Sequence, residues 1–379
     1  MRVALLVLLL ASTPAAAAPL DFGDRPARLV AAMAEGRLKA RLEACAAKPP
    51  RRTLFSIGHR GAPRSFPEHS AEGYRAAARM GAGIVECDVN VTRDGALVCR
   101  HADDDLPATT DILLTDLAAK CRRPFAPGRG AECRTSDLTL AEFRSLKGRM
   151  THVVKGAATV EGYMADDGAR GALMTHADSI ALLAPLGVKF TPELKAERVV
   201  GAARQALAGA LIDEYRAAGV PPGDVWPQSF QLDDIRYWIA AAPEFARQAV
   251  YLDGRYRDGL DPLRPETFHP SMAALKSMGV NIVAPPIWML LTERDGRIVA
   301  APYAEAAKAA GLKIIAWTLE RGGPPGADNW YYRSIPGAAK RPGALYKTLD
   351  ALAREVGVIG VFSDWAATVS AYANCMELD

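Results

Sequence analysis

Eight short runs of apolar and β-branched residues recur along the chain, and alanine-rich stretches separate most of them. In these stretches apolar residues return every three or four positions, which predicts helices, whereas the short apolar runs predict buried strands. The clearest predicted helices cover residues 70–80, 196–218 and 302–310. The predicted strands cover residues 54–59, 83–91, 188–195, 225–230, 249–253, 281–285, 313–318 and 358–364.

Strands that alternate with helices predict parallel βαβ units, and eight units predict a closed (β/α)8 TIM barrel. A doubly wound open sheet is the alternative. Residues 18–52 precede the first strand and are predicted to be helical, so we expect the barrel domain to cover 53–379. The stretch 103–187 is too long for a simple connection, which predicts a subdomain inserted after the second βα region. A loop rich in glycine and proline, 319–345, follows the seventh strand.

The first 17 residues have the pattern of a secretory signal peptide. A positive start, Met1-Arg2, precedes the apolar run 3–10 and the small residues Ala15-Ala16-Ala17, which fit a cleavage site. The run is too short for a spanning helix, which needs about 20 residues, so we expect no stable membrane anchor. An uncleaved anchor is the alternative. We therefore expect a periplasmic or secreted protein.

Such a compartment is oxidising, so the six cysteines can form disulfides. Cys121 and Cys133 flank a short loop, and we expect a bridge between them. Cys45 and Cys375 lie near opposite ends of the chain, which often meet at a domain surface, so they are a second candidate pair. The other two cysteines lie within predicted strands, where buried free thiols are at least as good an interpretation.

The overall composition excludes several classes of protein. Half of the residues, 50%, are hydrophobic and 23% are charged, which is too apolar for an intrinsically disordered chain. The net charge is +3, and no basic run is longer than the pairs Arg51-Arg52 and Arg122-Arg123. Because a nucleic-acid-binding surface needs clustered basic residues, we expect no nucleic-acid partner.

Acidic side chains fall near the ends of the second and third predicted strands, where barrel enzymes place their catalytic groups. Glu86 and Asp88 are two residues apart, so they point to one face of the strand, and Glu193 lies on the next strand. Converging carboxylates repel each other, and a divalent cation with oxygen ligands neutralises them. An all-oxygen set suits Mg²⁺ or Ca²⁺ better than zinc. The alternative is a set of strand-end carboxylates held by arginines.

Histidine and basic side chains are expected at the same end of the barrel. His59 and Arg60 follow the first strand, and His101 ends a further short strand, 96–101. The two histidines can move protons, while Arg60 and Lys195 can hold phosphoryl oxygens. The remaining histidines are interpreted as structural: His69, His152, His176 and His269.

Several short motifs occur in a fixed order between residues 54 and 365. They are His59-Arg60-Gly61-Ala62-Pro63, Pro67-Glu68-His69-Ser70, Glu86-x-Asp88, Thr92-Arg93-Asp94-Gly95, His101, Glu193-Leu194-Lys195, Gln228-Ser229-Phe230, Trp317-Thr318 and Ser363-Asp364. This ordered set resembles the glycerophosphodiester phosphodiesterase family. The motif Pro67-Glu68-His69, with a histidine at its third position, resembles the motif of the periplasmic-type branch of that family.

The resemblance implies a barrel with an insertion and the metal-dependent hydrolysis of a small-molecule glycerophosphodiester to glycerol 3-phosphate and an alcohol. The matching positions are His59 and His101 as the acid–base pair, Glu86, Asp88 and Glu193 as divalent-metal ligands (Ca²⁺ or Mg²⁺), and Arg60, Lys195 and Trp317 as substrate contacts. The chain departs from the family at Ala102, because an aspartate usually follows the second histidine.

Two other functions stay open at this stage. A phospholipase-like lipid phosphodiesterase would need an apolar lid, which the loop 322–343 could supply. A degenerate, non-catalytic phosphodiester-binding protein is favoured by Ala102. The loop also carries Trp330, Tyr331 and Tyr332, which either contact the alcohol part of the substrate by cation–π interaction or pack the loop onto the barrel.

Overall fold

A computed structural model describes residues 19–150, 153–164, 168–323, 325–326 and 328–379. The predicted signal peptide and His152 lie outside the described residues. Among the described residues, no helix has both the length and the apolar character needed to cross a membrane.

Eight parallel strands close into a barrel, in which the first strand pairs with both the second and the last. Strands β1 to β8 are Thr53–Gly58, Ala82–Val91, Lys189–Leu194, Gln228–Ser229, Val250–Leu252, Ile282–Ala284, Lys313–Leu319 and Gly360–Ser363. The predicted barrel is confirmed, and the open sheet was the wrong alternative because these strands leave no free barrel edge. Strand β4 is shorter than its predicted run, which contains Pro227, a residue without a backbone N–H for the ladder.

Helices rich in alanine cover the outside of the barrel. They are Ala71–Arg79, His176–Leu183, Gly201–Ala217, Leu232–Ala241, Pro243–Ala246, Met272–Ser277, Ile287–Leu290, Pro302–Ala309, Ala344–Ala351 and Ala366–Met376. The first begins at Ser70, whose hydroxyl accepts a hydrogen bond from the Gly73 N–H. Helix Gly201–Ala217 begins later than predicted because Ala196 has a φ angle of +29°, outside the helical region, and the chain is still at a φ angle of +61° at Gly201, the first residue of the helix.

The barrel interior is filled by apolar side chains from its own strands. Ile57, Ile84, Val250, Ile282 and Ile315 belong to this inner cluster, and each is at most 3% exposed. A larger apolar layer lies between the strands and the surrounding helices. The strands are therefore held on both faces, which makes their ends a rigid platform for a site.

The chain between β2 and β3 builds a small unit with its own apolar core. Leu106, Ile112, Leu138 and Phe143 are buried in that core. Its elements are the strand Leu97–Cys99, antiparallel to β2, the hairpin Arg123–Ala126 with Gly130–Glu132, the paired strands Lys147–Gly148 and Gly171–Ala172, and the helices Leu106–Thr109, Leu140–Ser145 and Val160–Met164. Helix His176–Leu183 then returns to the barrel and packs beside its neighbouring helices. A further hairpin, Leu291–Arg294 with Arg297–Ala300, follows β6.

Three disulfides are formed, of which one joins the two ends of the chain and two are local. Cys45–Cys375 ties the N-terminal helices Arg25–Ala31 and Arg37–Ala44 to the last helix, and Cys121–Cys133 closes a loop of the inserted unit. The remaining two cysteines also pair, since the antiparallel strand Leu97–Cys99 brings them together beside β2. The structure therefore decides against free thiols in these two strands.

The Cys121–Cys133 bridge should stabilise the protein measurably. Replacing both residues with serine should lower the free energy of unfolding by about 3 kcal/mol, the chain-entropy value for a loop of this size. Denaturant unfolding measures the change, and peptide mapping without reductant should recover the two cysteines in one cross-linked peptide. Arg122→Gln removes an exposed ion pair to Asp137 in the same segment and is the control, with a loss below about 1 kcal/mol. Recovery of both cysteines as free thiols would refute the bridge.

Candidate active site

The site residues predicted from the sequence come together around one cavity of about 340 Å³. The predicted residues that line it are His59, Arg60, Glu86, His101, Glu193, Lys195 and Trp317. The eighth, Asp88, is 1% exposed and lies in the same carboxylate cluster. All eight lie on or directly after strands, with His101 following the short strand Leu97–Cys99.

Three buried carboxylates form the centre of the site. Asp88 on β2 is paired directly with Glu193 on β3, and Glu86 lies on the same face of β2 two residues earlier. One oxygen from each side chain lies within 4.8 Å of the other two. Parallel register therefore builds the cluster, without any contribution from a flexible loop.

Burial and mutual repulsion disturb the ionisation of this cluster. Burial, reinforced by Asp88 and Glu193, raises the pKa of Glu86 well above its usual value. Burial also raises the pKa of Glu193 to about 7, although Lys195 opposes the shift. Burial opposes ionisation of Asp88 too, but the hydrogen bond from His69 and the charges of Lys195 and Arg60 outweigh it and hold its pKa well below the usual value. The three groups consequently cannot all stay ionised at neutral pH without a further positive charge.

The carboxylates fit a hard divalent cation. Asp88 Oδ1 is buried and makes no hydrogen bond with any described residue, so it has a free oxygen inside the cluster. The other carboxylate oxygens are oriented: Gln228 Nε2 donates to Glu86 Oε1 at 2.9 Å, and His69 Nε2 lies 2.9 Å from Asp88 Oδ2. An oriented donor set made only of oxygen suits Mg²⁺ or Ca²⁺. Although His69 was interpreted as structural, it contacts one of these carboxylates directly.

His59 is held by a carboxylate that the sequence analysis did not assign to the site. Its Nδ1 lies 2.5 Å from Oδ1 of Asp364, which directly follows β8. This contact directs the other ring nitrogen, Nε2, toward the carboxylate cluster, where it lies 3.7 Å from Glu86 Oε2. Burial lowers the pKa of His59 to about 4, with Arg60 adding to the shift and Asp364 opposing it. The imidazole is therefore neutral near pH 7, with Nε2 available to accept a proton.

Arg60 occupies an unusual backbone conformation that serves the site. Its φ angle is +52°, and its N–H donates to Glu86 Oε2 at 3.0 Å while its Nη1 donates to Glu68 at 3.1 Å. Glu68 in turn accepts from Arg100, which is fully buried. Gly61 follows with a φ angle of +90°, and a Cβ there would lie 2.9 Å from the Gly73 backbone. The chain thus turns sharply after β1 and fixes the guanidinium beside the carboxylates.

His101 and Lys195 complete the polar half of the cavity. The His101 ring makes no hydrogen bond with the described part of the chain, and burial lowers its pKa well below the usual value. Lys195 Nζ lies 2.9 Å from Glu193 Oε1 and 5.7 Å from the centre of the Phe230 ring. At the position where the family usually has aspartate, the Ala102 N–H donates to Asp105, which also pairs with Arg100.

Aromatic rings form the other half of the cavity. Trp317 stacks on Trp330 with ring centres 5.9 Å apart, and Tyr331 packs edge-on against Trp330 at 5.0 Å. Both loop rings line the cavity, whereas Tyr332 is fully buried and its hydroxyl accepts from the Glu320 N–H. The loop therefore packs on the barrel, as one of the two interpretations expected, and two of its rings also line the cavity.

A barrel that gathers three carboxylates, two histidines and two basic side chains in one cavity has the composition of a phosphate-ester hydrolase. The sequence matches the glycerophosphoryl diester phosphodiesterase family over residues 59–368, and the chain belongs to that family. It is a phosphoric diester hydrolase, as the family resemblance implied.

Individual relatives support the assignment to different degrees. An extracellular protein of Arthroderma benhamiae is 43% identical over 218 residues, which cover 55% of this chain and 88% of the relative. The structure of a phosphodiesterase from Oleispira antarctica in complex with the product sn-glycerol-3-phosphate is 18% identical, with a TM-score of 0.52 over 84% of this chain and 96% of that one. A glycerophosphodiester phosphodiesterase from Parabacteroides distasonis is 16% identical, with a TM-score of 0.51 over the same shares. These two structures show the shared fold.

The carboxylate cluster should make stability depend on divalent cations. At about one hundred times its dissociation constant, Ca²⁺ or Mg²⁺ should raise the free energy of unfolding by about 2.7 kcal/mol, because only the folded chain assembles the cluster. Glu86→Gln should lose this increase while keeping the stability of the metal-free protein, since the amide replaces a carboxyl whose pKa is already raised. Glu197→Gln, at an exposed glutamate of the same cavity, is the control and should keep the full effect. Equal stabilisation of the wild type and Glu86→Gln would contradict the assignment.

Proposed function

We propose that this protein hydrolyses glycerophosphodiesters to glycerol 3-phosphate and an alcohol, with Ca²⁺ or Mg²⁺ held by Glu86, Asp88 and Glu193. The observation that carries the proposal is the Nε2 atom of His59, which Asp364 directs toward the carboxylate cluster, where Arg60 Nε also lies 3.4 Å from Asp88 Oδ2. The proton acceptor His59, the positively charged Arg60 that can bind a phosphate, and the carboxylates that can hold a metal ion then meet at one point. Hydrolysis of a phosphodiester requires these three functions.

The bound cation would supply electrostatic stabilisation of the charge that builds up on the phosphoryl oxygens. Arg60 is positioned to share this task, because its side chain is already held between Glu68 and Asp88 and loses little freedom on binding. Lys195 offers a second positive charge at the same cavity wall. Substrate binding in this half of the cavity is therefore directed at the phosphate.

The histidines move the protons of the reaction. Nε2 of His59 accepts the proton of the attacking hydroxyl, from water or from the neighbouring glycerol, as the new P–O bond forms. Attack by water gives glycerol 3-phosphate directly, whereas attack by the glycerol hydroxyl gives a cyclic phosphodiester that a water molecule then opens to glycerol 3-phosphate. Asp364 keeps Nδ1 as the proton-bearing nitrogen and stabilises the imidazolium that results, so it acts as a positioning residue. Burial lowers the pKa of His101, so its ring is neutral before substrate binds. The negative charge of the bound phosphodiester favours the protonated ring, which gives its proton to the alcohol oxygen as the old P–O bond breaks. Trp317 packs against the part of the substrate beyond the phosphate.

The expected location follows from the sequence and the disulfides. Three disulfides favour an oxidising compartment, so we place the protein in the periplasm or outside the cell after removal of residues 1–17. The relative from Arthroderma benhamiae carries the name of an extracellular protein, which supports this placement.

The purified protein should release glycerol 3-phosphate from glycerophosphocholine. Excess chelator should abolish the activity, and Ca²⁺ or Mg²⁺ should restore it, as followed by enzymatic detection of glycerol 3-phosphate. Release of phosphocholine instead would indicate phospholipase C-like chemistry. Binding of the substrate without turnover would favour the non-catalytic alternative and contradict the proposal.

His59 and Asp364 should behave as one unit. His59→Ala and Asp364→Asn should each lower kcat by at least about 10²-fold, and the double variant should be little slower than His59→Ala alone. His101→Ala should lose at least about 10²-fold independently. The exposed His269 supplies the matched control, so His269→Ala should keep wild-type kcat. Multiplicative losses in the double variant would mean that Asp364 does not act through His59.

A further inference from the structure

Beyond the proposed phosphate contacts, the cavity has a distinct wall of aromatic rings and arginines, here called the alcohol side. Its rings are Phe230, Tyr256, Trp317, Trp330 and Tyr331, and its arginines are Arg257 and Arg321. The rings touch one another with centres 5.0 to 5.9 Å apart, so the wall is continuous. With the phosphate held at the side of Arg60 and Lys195, the alcohol attached to it through the scissile bond can reach this surface.

Two of these rings already have positively charged side chains over them. The Arg257 guanidinium carbon lies 5.3 Å from the centre of Phe230 and 5.5 Å from the centre of Tyr256. Lys195 Nζ also lies 5.7 Å from the centre of the Phe230 ring. At Phe230 and Tyr256, a quaternary ammonium group would therefore compete with these side chains for the ring and would be repelled by their positive charge.

The arginines of this wall have spare capacity to bind an anion. Arg257 is exposed and forms no ion pair with any other described residue, while Arg321 pairs with Asp364 through one nitrogen at 3.2 Å. Outside the carboxylate cluster, Glu197 is the one acidic side chain among the described cavity-lining residues. A guanidinium fork with free N–H groups binds phosphate or carboxylate through two parallel hydrogen bonds.

We propose that the alcohol side selects substrates whose alcohol moiety carries a second anionic group, such as a phosphate, and discriminates against quaternary ammonium head groups, with Arg257 as the specificity-determining residue. The inference rests on the proposed function, since it names the substrate class of that site. Specificity arises from both attraction and repulsion, because Arg257 binds the second anion and repels a cation at the same position. Of the two interpretations of the loop rings, the proposal favours packing that shapes the wall over a cation–π contact with the alcohol part of the substrate.

Competing substrates test the inference directly. Initial rates of glycerol 3-phosphate release should give a kcat/KM for bis(glycerophospho)glycerol at least about 10-fold above that for glycerophosphocholine, a difference of about 1.4 kcal/mol in transition-state binding. Arg257→Gln should reduce this ratio at least fivefold, whereas Arg257→Lys should keep most of it. Raising the ionic strength should also reduce the ratio in the wild type, because an exposed charge is screened by salt.

Arg333 provides a matched control for the loss of an arginine from the aromatic cluster. Its guanidinium lies 3.6 Å from the centre of the Trp288 ring, but Arg333 does not line the cavity, so Arg333→Gln should leave the ratio unchanged. A wild-type preference for glycerophosphocholine, or a ratio that Arg257→Gln does not alter, would overturn the inference while leaving the hydrolase intact. Absence of turnover on both substrates would instead contradict the proposed function and the inference with it.

Discussion

The repulsion among Glu86, Asp88 and Glu193 is the constraint on which the rest of the site depends. At 4.8 Å and an effective dielectric constant of about 20, two unit charges repel each other by about 3.5 kcal/mol. A folded protein tolerates such a cluster only if cations compensate the charge or some of the carboxyls are protonated. Arg60 and Lys195 lie beside it, yet the raised pKa values of two of the three carboxyls show that this compensation is incomplete. A divalent cation, as proposed, would supply the missing charge.

The barrel keeps the carboxylates close in spite of their repulsion. Asp88 and Glu193 are neighbours in the parallel ladder, and the strands that carry them are packed on both faces. Between Glu86 and Asp88, Cys87 points to the opposite face of β2 and is linked to Cys99. The same strand thus places its acidic side chains in the site and anchors its other face to the inserted unit. Because the scaffold is rigid, the site is organised before any ligand binds.

Features that follow from local pattern were predictable from the sequence. The alternation of strands and helices predicted the barrel, and strand-end positions predicted the converging side chains, because both depend on short spacing. Asp364 was missed as a partner of His59, from which it is separated by 305 positions. Closure of the barrel makes β1 and β8 neighbours. An aspartate at the end of the last predicted strand could therefore have been expected to lie beside a histidine at the end of the first.

Buried charge was the other feature that sequence reasoning missed. From the sequence, His69 was interpreted only as structural and Arg100 was given no role, but both are fully buried and orient the groups around Asp88 and Glu68. The pairing of Cys87 with Cys99 was equally hidden, because it requires the short strand Leu97–Cys99 to run antiparallel to β2. Such contacts depend on which segments meet in the folded protein, and the spacing of residues along the chain does not indicate this.

Anomalous diffraction from crystals loaded with Mn²⁺, a spectroscopic and scattering substitute for Mg²⁺, tests the central claim most directly. The account predicts a single strong anomalous peak between β2 and β3, within coordination distance of oxygens from Glu86, Asp88 and Glu193. In crystals of Glu86→Gln grown and loaded in the same way, the peak should be weakened or lost. An Mn²⁺ ion bound elsewhere, with the three carboxylates left without a cation at saturating metal, would contradict the account.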